Sequence, residues 1–247
     1  MSQSPLPPQS SRRQVLRAGL LAALGSVVAT EMLSSTRVAA STRITTESTR
    51  VSLVGDSLTE GTLPYQADTL SYLDWSSSAI DAFKSRGIRT KMKGDPHTGL
   101  SAVDAIRETN GDSDLWVVAL GSNDAGFYPL DEQPGVIREM VDRIGDEHYV
   151  LWVNVYLPAT LKRQRAWNAS LATVAAERPH QMFVLDWATL AQENPKWLGG
   201  DKIHCSTVGY KNRASVIAQA TKTLVPTDPI PRPSSLPRRQ FVKYLPG

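Results

Sequence analysis

Apolar residues recur along this chain in two rhythms. LWVVAL at 115–120 and VLWVNVY at 150–156 are apolar at nearly every position, as strands buried on both faces are. Shorter β-rich runs at 51–55, 88–93 and 182–186 bring the predicted strands to five. Between them, apolar residues fall three and four apart, the spacing of one helix face, near 68–86, 101–109, 134–145, 160–177 and 207–224. Five β–α alternations predict an α/β fold: a three-layer α/β/α, flavodoxin-like arrangement around a five-stranded parallel sheet. In such sheets ligands bind in the crevice beyond the carboxyl ends of the strands.

The two ends break the pattern. Residues 12–17 read RRQVLR and resemble the twin-arginine transport motif, with Val15 where that motif usually carries Phe. An uncharged run of 13 residues follows at 18–30, shorter than the ~20 a bilayer span needs but right for a signal core. Val38-Ala39-Ala40 sets small residues before Ser41, so residues 1–40 are expected to be an export signal and the domain to be secreted or held in the cell envelope. The alternative is an uncleaved anchor; with cleavage, membrane contact ends with the signal. Residues 41–49 are polar and aperiodic, a linker. Residues 226–247 hold six prolines and are expected to form a disordered or surface-hugging tail, leaving 50–225 as the folded domain.

Charge follows the same division. The chain of 247 residues carries a formal +3, but residues 1–40 and 226–247 each contribute +3, so 41–225 stand at −3. The folded part thus lacks the basic footprint of nucleic-acid binding. One cysteine, Cys205, excludes an intramolecular disulfide, and the four histidines show no metal-ligand spacing, so no metal or cofactor is implied.

Four polar or glycine-rich loops follow the predicted strands at one rim. Gly55-Asp56-Ser57-Leu58 follows the first, His97-Thr98-Gly99 the second and Gly121-Ser122-Asn123-Asp124 the third; Asp201-Lys202-Ile203-His204 follows the fifth and a short helix. A serine hydroxyl needs a base to become a nucleophile. His204 is the one histidine with a carboxylate three residues before it, and i, i+3 in a helical turn sets Asp201 on the same face. Asp201 could then hold the His204 tautomer whose other nitrogen faces Ser57. Taken singly, the Gly-Asp-Ser could be a strand–helix turn and Asp201 a helix cap. Asp56 reads as a brace for its own loop, His97, His148 and His180 as surface or loop residues, and Cys205 as a small buried side chain.

Taken together and in this order, GDSL, a glycine in the second loop, GSND and DxxH resemble the SGNH (GDSL) hydrolase superfamily over residues ~50–225. The resemblance implies a serine esterase with Ser57 as nucleophile, His204 as base and Asp201 as its orienter. It implies oxyanion donors at the Ser57 N–H, a second-loop glycine N–H and the Asn123 side chain. Gly99 is preferred for the glycine because it lies nearer the following helix, with Gly94 the rival. Val153-Asn154-Val155, Trp167-Asn168, Val184-Leu185-Asp186-Trp187-Ala188 and Asp201-Lys202-Ile203-His204 are further similar to the SGNH domains of acyltransferases that O-acylate cell-wall or surface glycans. The expected activity is therefore hydrolysis of acyl esters, short-chain ones and those on carbohydrate included, by a monomer; the partners expected are a small-molecule or glycan ester. Glycan O-acyl transfer with the same triad is the alternative, and a catalytically silent wall-binding domain is one from another class.

Overall fold

A computed structural model describes residues 49–69, 79–224 and, for the backbone, 243–244. The expected signal, the linker up to residue 48 and most of the tail lie outside the described residues. The elements run β1 (Val51–Gly55), α1 (Ser57–Glu60), α2 (Leu63–Thr69), β2 (Ala79–Ala82), α3 (Gly99–Asn110), β3 (Leu115–Ala119), α4 (Gln133–Ile144), β4 (Tyr149–Val153), α5 (Leu161–Glu177), β5 (Met182–Leu185), α6 (Trp187–Glu193), α7 (Thr207–Leu224) and β6 (Lys243–Tyr244). All strand pairings are parallel, in the order β5-β4-β3-β1-β2-β6. The five longer strands thus run 2-1-3-4-5, the flavodoxin-like order. The two-residue β6 adds an edge beyond β2.

Alternation along the strands sends side chains to two cores. Val54, Trp116, Val118, Val150 and Trp152 pack with α3, α4 and α5 through Ile106, Met140 and Leu171. Val51, Leu53, Leu115, Val117 and Val153 face the other way, against Trp187, Ala191, Ile217 and Ala218 of α6 and α7. Burial of both faces is why these strands are apolar almost throughout.

The second strand needs a correction. The run at 88–93 alternates apolar and polar residues and was expected to be a strand; it is a loop, in which Gly87 N–H bonds the Thr90 carbonyl (2.9 Å) and Met92 is 52% exposed. The strand is instead Ala79-Ile80-Asp81-Ala82, inside the stretch expected to be helical at 68–86. Alanine and aspartate are poor strand formers, but pairing along β1 from Ser52 to Gly55 overrides that preference.

Several motif residues act as clamps. The Asn154 amide donates to Asp186 Oδ1 (2.8 Å) while its Oδ1 accepts the Ala188 N–H (2.8 Å), fixing α6 to the end of β4. Asn168 brackets Val155 in the same way, accepting its N–H (3.1 Å) and donating to its carbonyl (2.9 Å). No described helix is long and apolar enough to cross a membrane.

Candidate active site

In the strand order 2-1-3-4-5 the connections from β1 and β3 leave in opposite directions, and a crevice opens between the carboxyl ends of these neighbours. Ser57 follows β1 there, and the loop carrying Asn123 follows β3. Asp56 caps α1 by accepting the Leu58 N–H (3.0 Å), which orients the first helical turn and holds Ser57 at its start. The Ser57 N–H bonds no described residue.

The second half of the site comes from a loop off the sheet. His204 Nε2 lies 3.0 Å from Ser57 Oγ, and His204 Nδ1 lies 2.6 Å from Asp201 Oδ2. An ionised carboxylate only accepts, so Nδ1 carries the proton and Nε2 presents a lone pair to the serine hydroxyl. Asp201 Oδ1 accepts the backbone N–H groups of Ile203 and His204, both at 2.9 Å. The hydrogen bond from His204 and then these backbone donors hold the Asp201 carboxyl down to about 2, although the side chain is half exposed. It is ionised at any neutral pH. The loop is closed by Gly199 N–H on the His204 carbonyl (2.7 Å) and by a bridge between Leu198 and Cys205.

The proposed oxyanion donors are not equally placed. Asn123 Nδ2 donates to the Arg86 carbonyl (3.0 Å) and faces Asp56 Oδ2 at 3.4 Å, so one of its protons is firmly used and the other only weakly. Gly99 N–H, the preferred backbone donor, is committed to the Gly87 carbonyl at 2.9 Å. A Cβ there would lie 2.5 Å from Leu120 Cδ1, which makes this glycine a packing residue under the second loop. Gly94, the rival, is exposed at φ +93° and its N–H bonds no described residue. Gly121 opens the Asn123 loop at φ +123°, where Trp167 leaves no space for a Cβ.

Buried charged side chains pack beneath and around these loops. Arg86 is wholly buried: its Nε and Nη2 donate to Asp95 (2.9 and 2.7 Å) and its Nη1 to Asp81 (2.8 Å). His97 joins through Nδ1 on Asp81 Oδ2 (2.8 Å), making it part of this brace rather than a plain loop histidine. Asp124 is buried, with Oδ1 accepting the Ile88 N–H (2.9 Å) and Oδ2 without a partner. Burial, opposed by that N–H and aided by the nearby Asp56, raises its carboxyl to about 7. Arg213 lies buried 4.6 Å over the Trp187 ring, with Nε and Nη1 unpartnered. Two acids flanking Arg86 at Asp81 and Asp95 were a usable signal; nothing local marked Arg213.

His148 contacts Asp112 (3.2 Å) and His180 is exposed, both remote in sequence from the triad. Cys205 is buried, and burial pushes its thiol up. Among the described residues no group of three or more His, Cys, Asp or Glu side chains is gathered to hold a metal ion.

The profile of the GDSL-like Lipase/Acylhydrolase family matches residues 53–211, well over half of the chain. No curated protein matches the sequence. Among solved structures, the C-terminal catalytic domain of Streptococcus pneumoniae peptidoglycan O-acetyltransferase A is similar at 20% identity and TM-score 0.57, over 73% of this chain and 95% of that one. A lipase/acylhydrolase from Enterococcus faecalis is similar at 17% identity and TM-score 0.57, over 73% and 100%. The psychrotrophic esterase EstA from a Pseudoalteromonas species follows at 12% identity and TM-score 0.54, over 71% and 97%. At these identities the likeness is one of fold.

Two expectations follow. Arg86→Met should leave Asp81 and Asp95 buried without their cation and destabilise the protein by about 3–5 kcal/mol in urea unfolding. Asp124, with a folded-state value above its unfolded one, favours folding fully at low pH, and this contribution falls as pH rises from about 4 to 7, then stays flat. Asp124→Asn keeps an acceptor for Ile88 but cannot ionise. Relative to the variant, the wild type should therefore lose stability between about pH 4 and 7, by at most about 1.4 kcal/mol per pH unit. Parallel curves for the two proteins would contradict the assignment.

Proposed function

The chain belongs to the GDSL-like lipase/acylhydrolase family, and from that premise we propose that it is a serine esterase acting on acyl esters, short-chain ones foremost, through an acyl-serine intermediate. The observation that carries this reading is the Ser57–His204–Asp201 relay, with contacts of 3.0 and 2.6 Å. His204 Nε2 takes the Ser57 proton as Oγ attacks the ester carbonyl. The imidazolium so formed is stabilised by Asp201 and returns that proton to the departing alcohol oxygen. Water, deprotonated by His204, then attacks the acyl-serine and releases the acid. The oxyanion formed in both halves is received by the Ser57 N–H and the second Asn123 amide proton, with a second-loop glycine N–H as the third donor: that of Gly94 bonds no described residue, whereas that of Gly99 is committed to Gly87.

Transfer is the second reading. Asp201 and His204 are half exposed, so a sugar hydroxyl can approach the acyl-serine as readily as water. Peptidoglycan O-acetyltransferase A, which shares this fold, is named for such a transfer. An ester on a cell-wall or surface glycan is the natural substrate class in either reading. A silent binding domain would have no physical need of a serine held within hydrogen-bond reach of an oriented histidine.

Purified protein should hydrolyse p-nitrophenyl acetate, and Ser57→Ala should lower the rate by about 10³-fold or more. A fluorophosphonate should add one label, at Ser57 by intact-mass and peptide analysis. His204→Ala should cost more than Asp201→Ala, and Asn123→Ala about 10²–10³ in kcat. Full activity in Ser57→Ala would refute the mechanism. Released acetate measured with and without an added glycan acceptor separates hydrolysis from transfer.

We further propose export by the twin-arginine route, on the strength of Arg12-Arg13 and the apolar run behind them. Lysine at both positions should leave precursor in the cytoplasm, read by fractionation. Unimpaired export of that variant would point to another route.

A further inference from the structure

Beside the crevice, on the same rim, lies a second concavity of about 270 Å³. One wall is the segment that continues the Asn123 loop, from Ala125 to Gln133; the other is the start of α5, following β4. Because β4 neighbours β3, and β3 neighbours β1, the pocket sits to one side of Ser57 along the sheet. Its nearest wall is two residues from Asn123.

Its chemistry is mixed in an informative way. Lys162 and Arg163 both line it, are exposed, and form no ion pair or hydrogen bond with a described residue. Arg163 crosses Gly126 so closely that a Cβ there would stand 2.7 Å from its guanidinium nitrogen. Of the acids next to the lining residues, Asp131 and Glu132 are exposed, Asp124 is buried on the Ile88 N–H, and none pairs with either cation. Elsewhere on the surface arginines do find acids, as Arg138 does at Glu177 and Arg178 at Asp146. Gln133 is fully buried in the pocket wall; its amide donates to the Tyr128 carbonyl (3.2 Å), while its Oε1 has no partner. Leu130, in the lining, and Phe127, beside it, are 58% and 66% exposed.

We propose that this pocket is a subsite for a carboxylate-bearing sugar ring, which it holds while an ester on the same or a neighbouring ring reaches Ser57. The two unpaired cations select the carboxylate. The unsatisfied Gln133 oxygen accepts a ring hydroxyl once the side chain turns toward it. Leu130 and Phe127 offer apolar surface to a sugar face. The volume, just under the ~300 Å³ at which drug-sized pockets begin, suits one ring rather than an extended acyl chain. The inference rests on the esterase reading for its meaning but not for its test.

The test uses Lys162→Gln/Arg163→Gln in the full chain, with glucuronate and glucose as probes. By ligand-observed NMR, glucuronate should bind the wild type more tightly than glucose, and the double variant should bind it about three- to tenfold more weakly. Equal binding of the two sugars by the wild type, or unchanged glucuronate binding by the variant, would overturn the proposal. In turnover, the wild type should favour O-acetyl glucuronate over O-acetyl glucose through KM. The variant should lose that preference and keep its rate on p-nitrophenyl acetate. Absence of all ester turnover would sink the esterase reading and leave the binding result to decide the subsite.

Discussion

Asp56 is the group on which the site's construction turns. It is almost wholly buried, and taking a carboxylate out of water costs several kcal/mol unless its oxygens are met. Burial raises its pKa, against the Leu58 N–H, the Arg213 charge and the Ser122 side chain, which favour the ionised form. Each of these partners belongs to a different part of the fold. The Leu58 bond sets the helical turn bearing the nucleophile, Ser122 and Asn123 belong to the loop after β3, and Arg213 comes from α7. The carboxylate thereby ties the helical turn at Ser57 to the loop after β3 through Leu58 and Asn123, and its charge favours that of Arg213, whose Nε and Nη1 have no partner.

The second loop is held by a different means. Having no long strand to lean on, it is organised around the buried Arg86 and its two acids, and it offers the Arg86 carbonyl to Asn123. The backbone path from Phe83 to Thr98 is thus set by charge pairing, whereas the loops after β1 and β3 are set by a cap and by a glycine turn. The uneven placement of oxyanion donors reflects this: the loop spends the Gly99 N–H on holding itself down at Gly87.

How much of this was legible in the sequence depended on whether the signal was local. Unbroken apolar runs revealed β3 and β4 because burial on both faces leaves no alternative composition. The serine after a buried run was visible because a strand end fixes its place; Asp201 and His204 do meet, but in a bend with Lys202 at φ +61° rather than in the helical turn expected. β2 was hidden: Ala79-Ile80-Asp81-Ala82 has no strand preference of its own and exists because β1 offers it a partner. IRTKMK alternated like a strand, yet only Ile88 is buried and Met92 is turned to water. Gly99 was favoured over Gly94 by nearness to a helix, but which N–H is free depends on what crosses it, here Gly87. Arg213 carried no local mark, since it lies over Trp187, distant in the chain, whereas Arg86 has its two acids close by at Asp81 and Asp95.

Ser57 and His204 are held by structures of different kinds. Ser57 opens α1 directly after β1, while Asp201 and His204 ride on a loop tied at its own neck between Leu198 and Cys205 and seated where Gly209 of α7 meets the Trp197 carbonyl. A loop closed in this way can change length and sequence without shifting the register of any strand. Because both side chains ride on this one closed loop, a displacement of the loop would carry Asp201 and His204 together relative to Ser57 and leave the bond between them intact.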